Sequence, residues 1–241
     1  YIFLTIKKTL KSSLMDTAII SKDTLNFLNK LKANNTREWF TEHKKKFKEL
    51  ETEFKSFVTG LKSEIETHDE IEKSKVFRIY RDVRFSKDKT PYKSHFAASY
   101  ARAGAKLRGG YYLHIKPGGE SFIATGFWEP NKDDLFRIRK ELEMDATEFR
   151  AVISDKKFIE IWGNLVGDEL KTAPKGFDKE HKDIDLIRKK QFIFTRKFTD
   201  KEVTSKDFQN TVNESFKSIR PFFNLMSDIL TTNLNGESLL D

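Results

Sequence analysis

The sequence predicts an α+β domain, in which an antiparallel meander sheet packs with N-terminal and C-terminal helices. Apolar residues recur at helical spacing near both ends of the chain, over residues 22–67 and 131–230. Between them, over residues 76–128, the hydrophobic period changes to two. Consecutive strands joined by short links favour an antiparallel meander. The 241 residues suit one domain, and 22 Phe, 6 Tyr and 3 Trp can supply its core.

Two helices are predicted before the strands. Residues 22–33 have a short amphipathic pattern, and Thr36 is well placed as the N-cap of a longer helix over residues 37–67. The side of the longer helix opposite its apolar stripe carries Lys and Glu in nearly equal numbers, which is typical of a solvated face. Its apolar residues are Phe40, Phe47, Leu50, Phe54, Phe57, Val58, Leu61 and Ile65.

Four segments with a period of two are predicted as the strands of the meander. They read VFRIYRDVRF from residue 76, then HFAASY, YYLHI and SFIATGFW. The last two flank Pro117-Gly118-Gly119, and they give the strongest hairpin signal because Pro and Gly supply the required turn dihedrals. Residues 190–198, KQFIFTRKF, alternate again and are a candidate for one more strand.

Helical spacing returns after the predicted hairpin. One helix is predicted over residues 131–142, and shorter helical segments follow near residues 145–155 and 156–165. Ser205 is expected to cap a terminal helix. Pro221 should kink or interrupt that helix, because proline lacks a backbone N–H and its ring clashes with the preceding turn.

Residues 22–231 are expected to form a single domain. Residues 1–21 are expected to be an upstream or poorly ordered segment in which Met15 is a plausible true start, and residues 232–241 a flexible tail. The chain has no Cys, which excludes disulfides, thiolate metal sites and Cys nucleophiles and fits a cytoplasmic location. No stretch approaches the length of a transmembrane helix, so no membrane partner is expected.

Positive charge is concentrated in one part of the sequence. The whole chain carries a formal net charge of +8, and residues 76–110 alone contain nine Lys and Arg against two Asp. Most of these cations lie in residues 78–93, hereafter the basic segment. Arginine forks and lysine ammonium groups suit phosphate or carboxylate, so the segment predicts an anionic ligand. The candidate ligand-binding residues are Arg78, Arg81, Arg84, Lys87, Lys89, Tyr92 and Lys93.

Strand alternation divides the start of the basic segment into two faces. Arg78, Asp82 and Arg84 fall on the polar face, where Asp82 is expected to hold the two guanidinium groups in place. Arg81 falls on the otherwise apolar face. A buried arginine there requires either a charged partner or an opening to a ligand.

Three blocks of this sequence resemble the widespread, mostly bacterial family catalogued as domain of unknown function 2461. They are NNTREWF at 34–40, RIYRDVRFSKDKTPYK at 78–93 and GGYYLHIKPGGESFIATGFWEP at 109–130, and the similarity spans about residues 22–230. The resemblance implies one coherent fold in which these three blocks are important, but it does not indicate which reaction, if any, the family catalyses. The positions that it carries over are Asn35, Arg37, Trp39, Arg78, Arg81, Asp82, Arg84, Lys87, Asp88, Lys89, Pro91, Tyr92, Lys93, Gly110, Tyr112, His114 and Trp128.

Three functions remain open at the level of sequence. The first is a binding module for a phosphate-bearing ligand, either a nucleotide or a nucleic acid, centred on the basic segment. The second is an enzyme acting on a small anionic substrate, with Asp82, Asp88 or His114 as acid or base beside the arginines. The third is a structural or interaction protein in which the charges form an internal ion-pair network.

No metal site and no cofactor are predicted. A cluster in the second half of the chain offers carboxylate and imidazole ligands, but an ordinary polar loop gives the same pattern. Its members are Asp178, His181, Asp183 and Asp185.

Overall fold

The computed structural model describes residues 18–240 and confirms the α+β fold class. Its five strands form one antiparallel sheet in the order β1-β2-β3-β4-β5, which is the predicted meander. Most of the predicted upstream segment, including Met15, lies outside the described residues. The strands are β1 (Ile71–Val76), β2 (Phe96–Arg102), β3 (Gly110–Ile115), β4 (Ser121–Phe127) and β5 (Phe192–Phe198).

Three helices precede the sheet, namely α1 (Lys22–Ala33), α2 (Arg37–Glu42) and α3 (Lys44–Ile65). The Thr36 side chain accepts a hydrogen bond from the backbone N–H of Trp39 at 3.2 Å, so the predicted N-cap is confirmed. The predicted single helix over 37–67 is wrong, because the chain leaves the helical conformation at His43.

Seven more helices complete the described part of the chain. The predicted interruption near Pro221 is confirmed, since a new helix begins at Arg220 and the proline lies in its first turn. The predicted cap at Ser205 is wrong, since the terminal helix before Arg220 begins at Phe208 and, within the described residues, has no side-chain cap. None of the helices in residues 18–240 is long and apolar enough to cross a membrane. These helices are α4 (Lys132–Met144), α5 (Thr147–Ser154), α6 (Lys156–Trp162), α7 (Ile184–Ile187), α8 (Asp200–Val203), α9 (Phe208–Ser218) and α10 (Arg220–Thr231).

The helices pack on one face of the sheet, hereafter the core face. Phe54 of α3 stacks on Phe96 of β2, with ring centroids 5.0 Å apart. The ring of Tyr111 on β3 lies 4.7 Å from that of Phe216 on α9. Buried aromatic contacts of this kind contribute large apolar areas to the core.

Residues of the opposite face, hereafter the open face, alternate with these core residues along each strand. Glycines and small side chains occupy much of it, and the larger side chains are aromatic, histidine, lysine or isoleucine. The register gives its members from β1 to β5 as Lys73, Lys75, Ala97, Ser99, Ala101, Gly110, Tyr112, His114, Phe122, Ala124, Gly126, Ile193, Thr195 and Lys197.

Candidate functional site: the basic segment and the open face

The basic segment is an irregular loop, and the predicted strand over 76–85 is wrong. Strand β1 ends at Val76, after which the segment folds back on itself through an isolated bridge between Tyr80 and Tyr92. The backbone N–H of Lys93 donates to the carbonyl of Ile79 at 2.7 Å, and that contact closes the loop.

Short-range polar contacts explain why this segment is not a continuous strand. The Asp82 carboxylate accepts from the backbone N–H of Arg84 at 3.2 Å, and Asp88 accepts from that of Thr90 at 2.9 Å. Asp side chains that bond to the backbone two residues ahead compete with a strand ladder and favour turns. The alternation in sequence therefore does not become an alternation in space, and Phe85 is 96% exposed.

The 34–40 block holds the basic segment in place. The Asn35 side-chain amide donates to the carbonyl of Tyr92 at 3.0 Å, and its oxygen accepts from the N–H of Tyr92 at 3.1 Å. Phe40 stacks on the Tyr92 ring with centroids 4.0 Å apart. Tyr92, a predicted ligand-binding residue, is buried in this contact. Two blocks that are far apart in sequence thus form one structural unit.

Arg81 is engaged within the loop. Its guanidinium donates to Asp88 and Thr90, and to the Ser86 hydroxyl at 3.3 Å. The predicted placement on the core side is wrong because the loop does not follow strand parity, but a charged partner is present as expected. The bonds to Asp88 from the Thr90 N–H, the Arg81 guanidinium and the Thr90 hydroxyl lower the pKa of that carboxyl to about 2.

Arg84 forms a second internal pair, with Asp82. Its Nε and Nη2 atoms donate to the two carboxylate oxygens at 3.0 and 2.7 Å, an exposed fork-to-fork contact. The bond from Arg84 lowers the pKa of Asp82 below its ordinary value. Lys89 donates to the carbonyl of Val83 at 3.0 Å, and Lys87 lies beside these pairs in the chain. Arg81 and Arg84 are therefore the two cations of the basic segment that a carboxylate within the loop neutralises.

Four cations of the basic segment have no carboxylate partner among residues 18–240, namely Arg78, Lys87, Lys89 and Lys93. Of these, Arg78 and Lys93 lie near Lys75 of β1. Lys75, Arg78 and Lys93 form no ion pair with any residue in 18–240. The ammonium groups of Lys75 and Lys93 lie 5.2 and 5.6 Å from the centroid of the same ring, that of Phe77. Burial lowers the pKa of Lys93, and repulsion from Arg78 and Lys75 lowers it further. Lys75, Arg78 and Lys93 are hereafter the cation cluster.

Two histidines and a tyrosine lie next on the open face. The rings of His95 and His114 have centroids 4.1 Å apart, and the Tyr112 hydroxyl lies 3.1 Å from His114 Nδ1. Burial lowers the pKa of His114 to about 4 and that of His95 to about 3, with nearby positive charge adding to both effects. Both imidazoles are therefore neutral at pH 7.

Arg78, Lys93 and His114 were predicted from the sequence, whereas Lys75 and His95 were missed. The pairing of Lys75 with Ser99 places that lysine on the open face, and the contact between the His95 and His114 rings places His95 there. That register follows from the structure and not from the local pattern.

A family model described as a conserved hypothetical protein (DUF2461) matches residues 23–224. The chain belongs to the DUF2461 family. The predicted resemblance is thereby confirmed, and the match includes all three blocks that carried it, 34–40, 78–93 and 109–130. In this DUF2461 chain the first block clamps the second, and the third supplies β3 and β4. Searches of curated proteins and of solved structures found no match.

Proposed function

We propose that this protein binds a phosphate-bearing or other anionic ligand at the cation cluster, where the basic segment meets the open face. The observation that carries the proposal is the grouping of Lys75, Arg78 and Lys93 without a carboxylate partner among residues 18–240. Like charges held together repel, and an anion that accepts hydrogen bonds from them relieves the repulsion. A nucleotide or a nucleic acid supplies such a group.

The proposal narrows the predicted set of ligand-binding residues. Arg78 and Lys93 are assigned to the ligand. Arg81 and Arg84 are assigned to the internal network, because Asp88 and Asp82 already accept their hydrogen bonds. The structural alternative thus describes Arg81 and Arg84, and the binding alternative describes Arg78 and Lys93.

Replacing both Lys75 and Lys93 by methionine is expected to weaken binding of pyrophosphate or ATP by about 100-fold or more. Hydrogen bonds to charged groups contribute roughly 1.5–3 kcal/mol, and the two lysines are assigned the same anion. Isothermal titration calorimetry at low ionic strength measures the affinities. Methionine keeps much of the length of the side chain and removes the charge.

Arg84→Met is the matched control, since it removes a positive charge from an exposed arginine that already has a carboxylate partner. Its affinity should stay within about threefold of the wild type, because exposed pairs contribute little. Equal losses in both variants would point to general charge attraction. Absence of binding by the wild-type protein would reject the proposal.

A second candidate function is catalysis on a small anionic substrate, and the contact between Tyr112 and His114 favours it. A neutral imidazole beside a cation cluster can accept a proton from a bound anion or from water. Asp82 and Asp88 are weaker candidates for a base, because their carboxylates already accept hydrogen bonds from Arg84 and from Arg81 and Thr90 within the loop. His114 is therefore the residue to which this alternative assigns proton transfer.

His114→Gln is expected to reduce hydrolysis of phosphate esters about 100- to 10,000-fold if the protein is such an enzyme. Binding of pyrophosphate should stay within about threefold, because the cation cluster remains. A panel of p-nitrophenyl phosphate esters, followed by absorbance, measures the rate. His181→Gln serves as the control, since that ring bonds only the backbone N–H of Asp183 among the described residues. A wild-type protein without activity on the panel would count against this alternative.

A further inference from the structure

We infer that the open face binds single-stranded nucleic acid, with bases stacked on its aromatic rings and phosphates at the surrounding cations. The inference rests on the proposed anion binding at the cation cluster and adds the class of ligand. It is carried by the arrangement of rings across the strands, which is independent of the cluster's charge.

The pairing register aligns rings from two strands and the segment after β1 in one row across the sheet. The N–H of Phe77 donates to the carbonyl of Ala97, Ala97 pairs with His114, and His114 pairs with Phe122. Adjacent strands lie about 4.8 Å apart, so the row from Phe77 to Phe122 spans roughly 14 Å. Lys197 of β5 pairs with Phe122 and ends the row with a cation.

The rings of this row and its neighbour form one continuous aromatic surface. His114 stacks on Phe122 with centroids 4.6 Å apart and an interplanar angle of 19°. Tyr112 lies 5.8 Å from Phe122 and 6.1 Å from Phe77. Within residues 18–240 the aromatic contacts of Tyr112, His114 and Phe122 are with one another, with Phe77 and with His95, and none is with a helix. All five rings are only half-buried.

Small side chains lie beside the rings, so no bulky neighbour covers them from the adjacent positions of the described strands. Ser99 and Ala124 flank Tyr112 in its cross-strand row, and Ala97 separates Phe77 from His114. A sheet face that carries partly exposed rings suits planar bases, because every base presents a π-face for stacking. Paired bases in a duplex do not offer that face, so the arrangement favours a single strand.

Cations border the aromatic surface at both ends. The cation cluster lies at the β1 end and Lys197 at the β5 end, and none of the four residues forms an ion pair with a residue in 18–240. Single-strand binders combine stacking rings with a positive groove that follows the backbone. The charge on this face therefore complements a chain of phosphates as well as one phosphate group.

The decisive comparison uses a deoxythymidine oligonucleotide of about twelve residues and an abasic oligonucleotide of the same length and charge. Fluorescence anisotropy of a terminal label measures both affinities with the full chain. The thymidine oligonucleotide is expected to bind more tightly, by about 5- to 150-fold for each stacked base. Four phosphate contacts predict a loss of roughly 50-fold in affinity when salt rises from about 50 to about 200 mM.

Phe122→Leu tests the assignment to the open face. The change keeps an apolar side chain and is expected to reduce thymidine binding about fivefold or more, while abasic binding stays unchanged. Phe136→Leu is the control, since that ring is 56% exposed on α4. Thermal melting monitors folding of both variants. The comparison of the two oligonucleotides needs no variant, so it decides the matter even if Phe122→Leu does not fold.

The possible results separate the inference from the proposed function. Equal affinity for thymidine and abasic oligonucleotides would overturn base stacking while leaving anion binding intact. Binding of pyrophosphate without binding of either oligonucleotide would also overturn the inference alone. Absence of binding to all three would reject both. Equal affinity for duplex and single-stranded DNA would indicate a general basic surface and would overturn the inference.

Discussion

Replacing Arg102 by methionine is expected to lower the free energy of unfolding by about 3 kcal/mol. The side chains of Arg102 and Asp69 are 0% and 1% exposed, and the guanidinium donates to both carboxylate oxygens at 2.7 and 3.2 Å. Removing one partner of a buried pair costs roughly 3–5 kcal/mol, because the other charge stays desolvated. The lower end applies here, since Arg220 and Tyr111 still contact Asp69.

Urea denaturation at pH 7 measures this change, and the double variant Asp69→Asn/Arg102→Met provides the internal comparison. The double variant should recover part of the loss, because it leaves no buried charge at position 69. Arg84→Met should change stability by less than about 1 kcal/mol, as its pair with Asp82 is exposed. A loss below about 1 kcal/mol for Arg102→Met would contradict the buried-charge argument.

The pH dependence of this network has a definite sign. Burial alone would raise the pKa of Asp69, but hydrogen bonds from Tyr111 and Arg102 outweigh it and leave the pKa below its ordinary value. A carboxyl with a lowered folded-state pKa stabilises the fold above the unfolded value of about 3.9, and that contribution is lost as the pH falls below it. The stability difference between the wild type and Asp69→Asn should therefore shrink in acid.

Gly126→Ala is expected to destabilise the fold by about 2–6 kcal/mol. Gly126 has φ of +120°, a conformation that residues with a Cβ rarely adopt. A Cβ at this position would clash with the backbone carbonyl oxygen of Phe192 and lie 3.1 Å from the Cα of Ile193 on β5. Backbone strain and overpacking each cost roughly 1–3 kcal/mol, and here they act together.

Gly104→Ala separates the two causes. Gly104 also has a positive φ, of +66°, but a Cβ there would meet nothing within 4 Å. Gly104→Ala should lower the free energy of unfolding by about 1–2 kcal/mol, which reflects backbone strain alone. Thermal or urea denaturation of the two variants measures the difference. Equal losses would show that β5 can move away from β4 at little cost.

Local sequence patterns predicted most of the helices and strands because those elements bury one regular face. The apolar residues that recur along α3, for example, are buried in the core. The errors have local causes. The alternating pattern after β1 predicted a strand, but Asp82 and Asp88 bond the backbone two residues ahead and turn the chain. Side-chain hydrogen bonds of this kind leave no mark on hydrophobic periodicity.

The candidate site was predictable in composition and not in geometry. The local excess of charge drew attention to the basic segment, but charge counts cannot show that Arg81 and Arg84 already have partners. The clamp between Asn35 and Tyr92 and the row from Phe77 to Lys197 depend on contacts between distant parts of the chain. Such contacts follow from the sheet register, which a single sequence does not determine.

The lysines of β1 also bear on how the sheet meets other molecules. In the described part of the chain β1 has a strand neighbour on one side only, so its other edge presents unpaired backbone groups. Lys73 and Lys75 lie on this strand, and the pairing with β2 is irregular between Ile71 and Lys73. Charged side chains and bulges make an edge a poor template for a strand from a second molecule. The charge that we assign to ligand binding thus also discourages sheets from joining edge to edge.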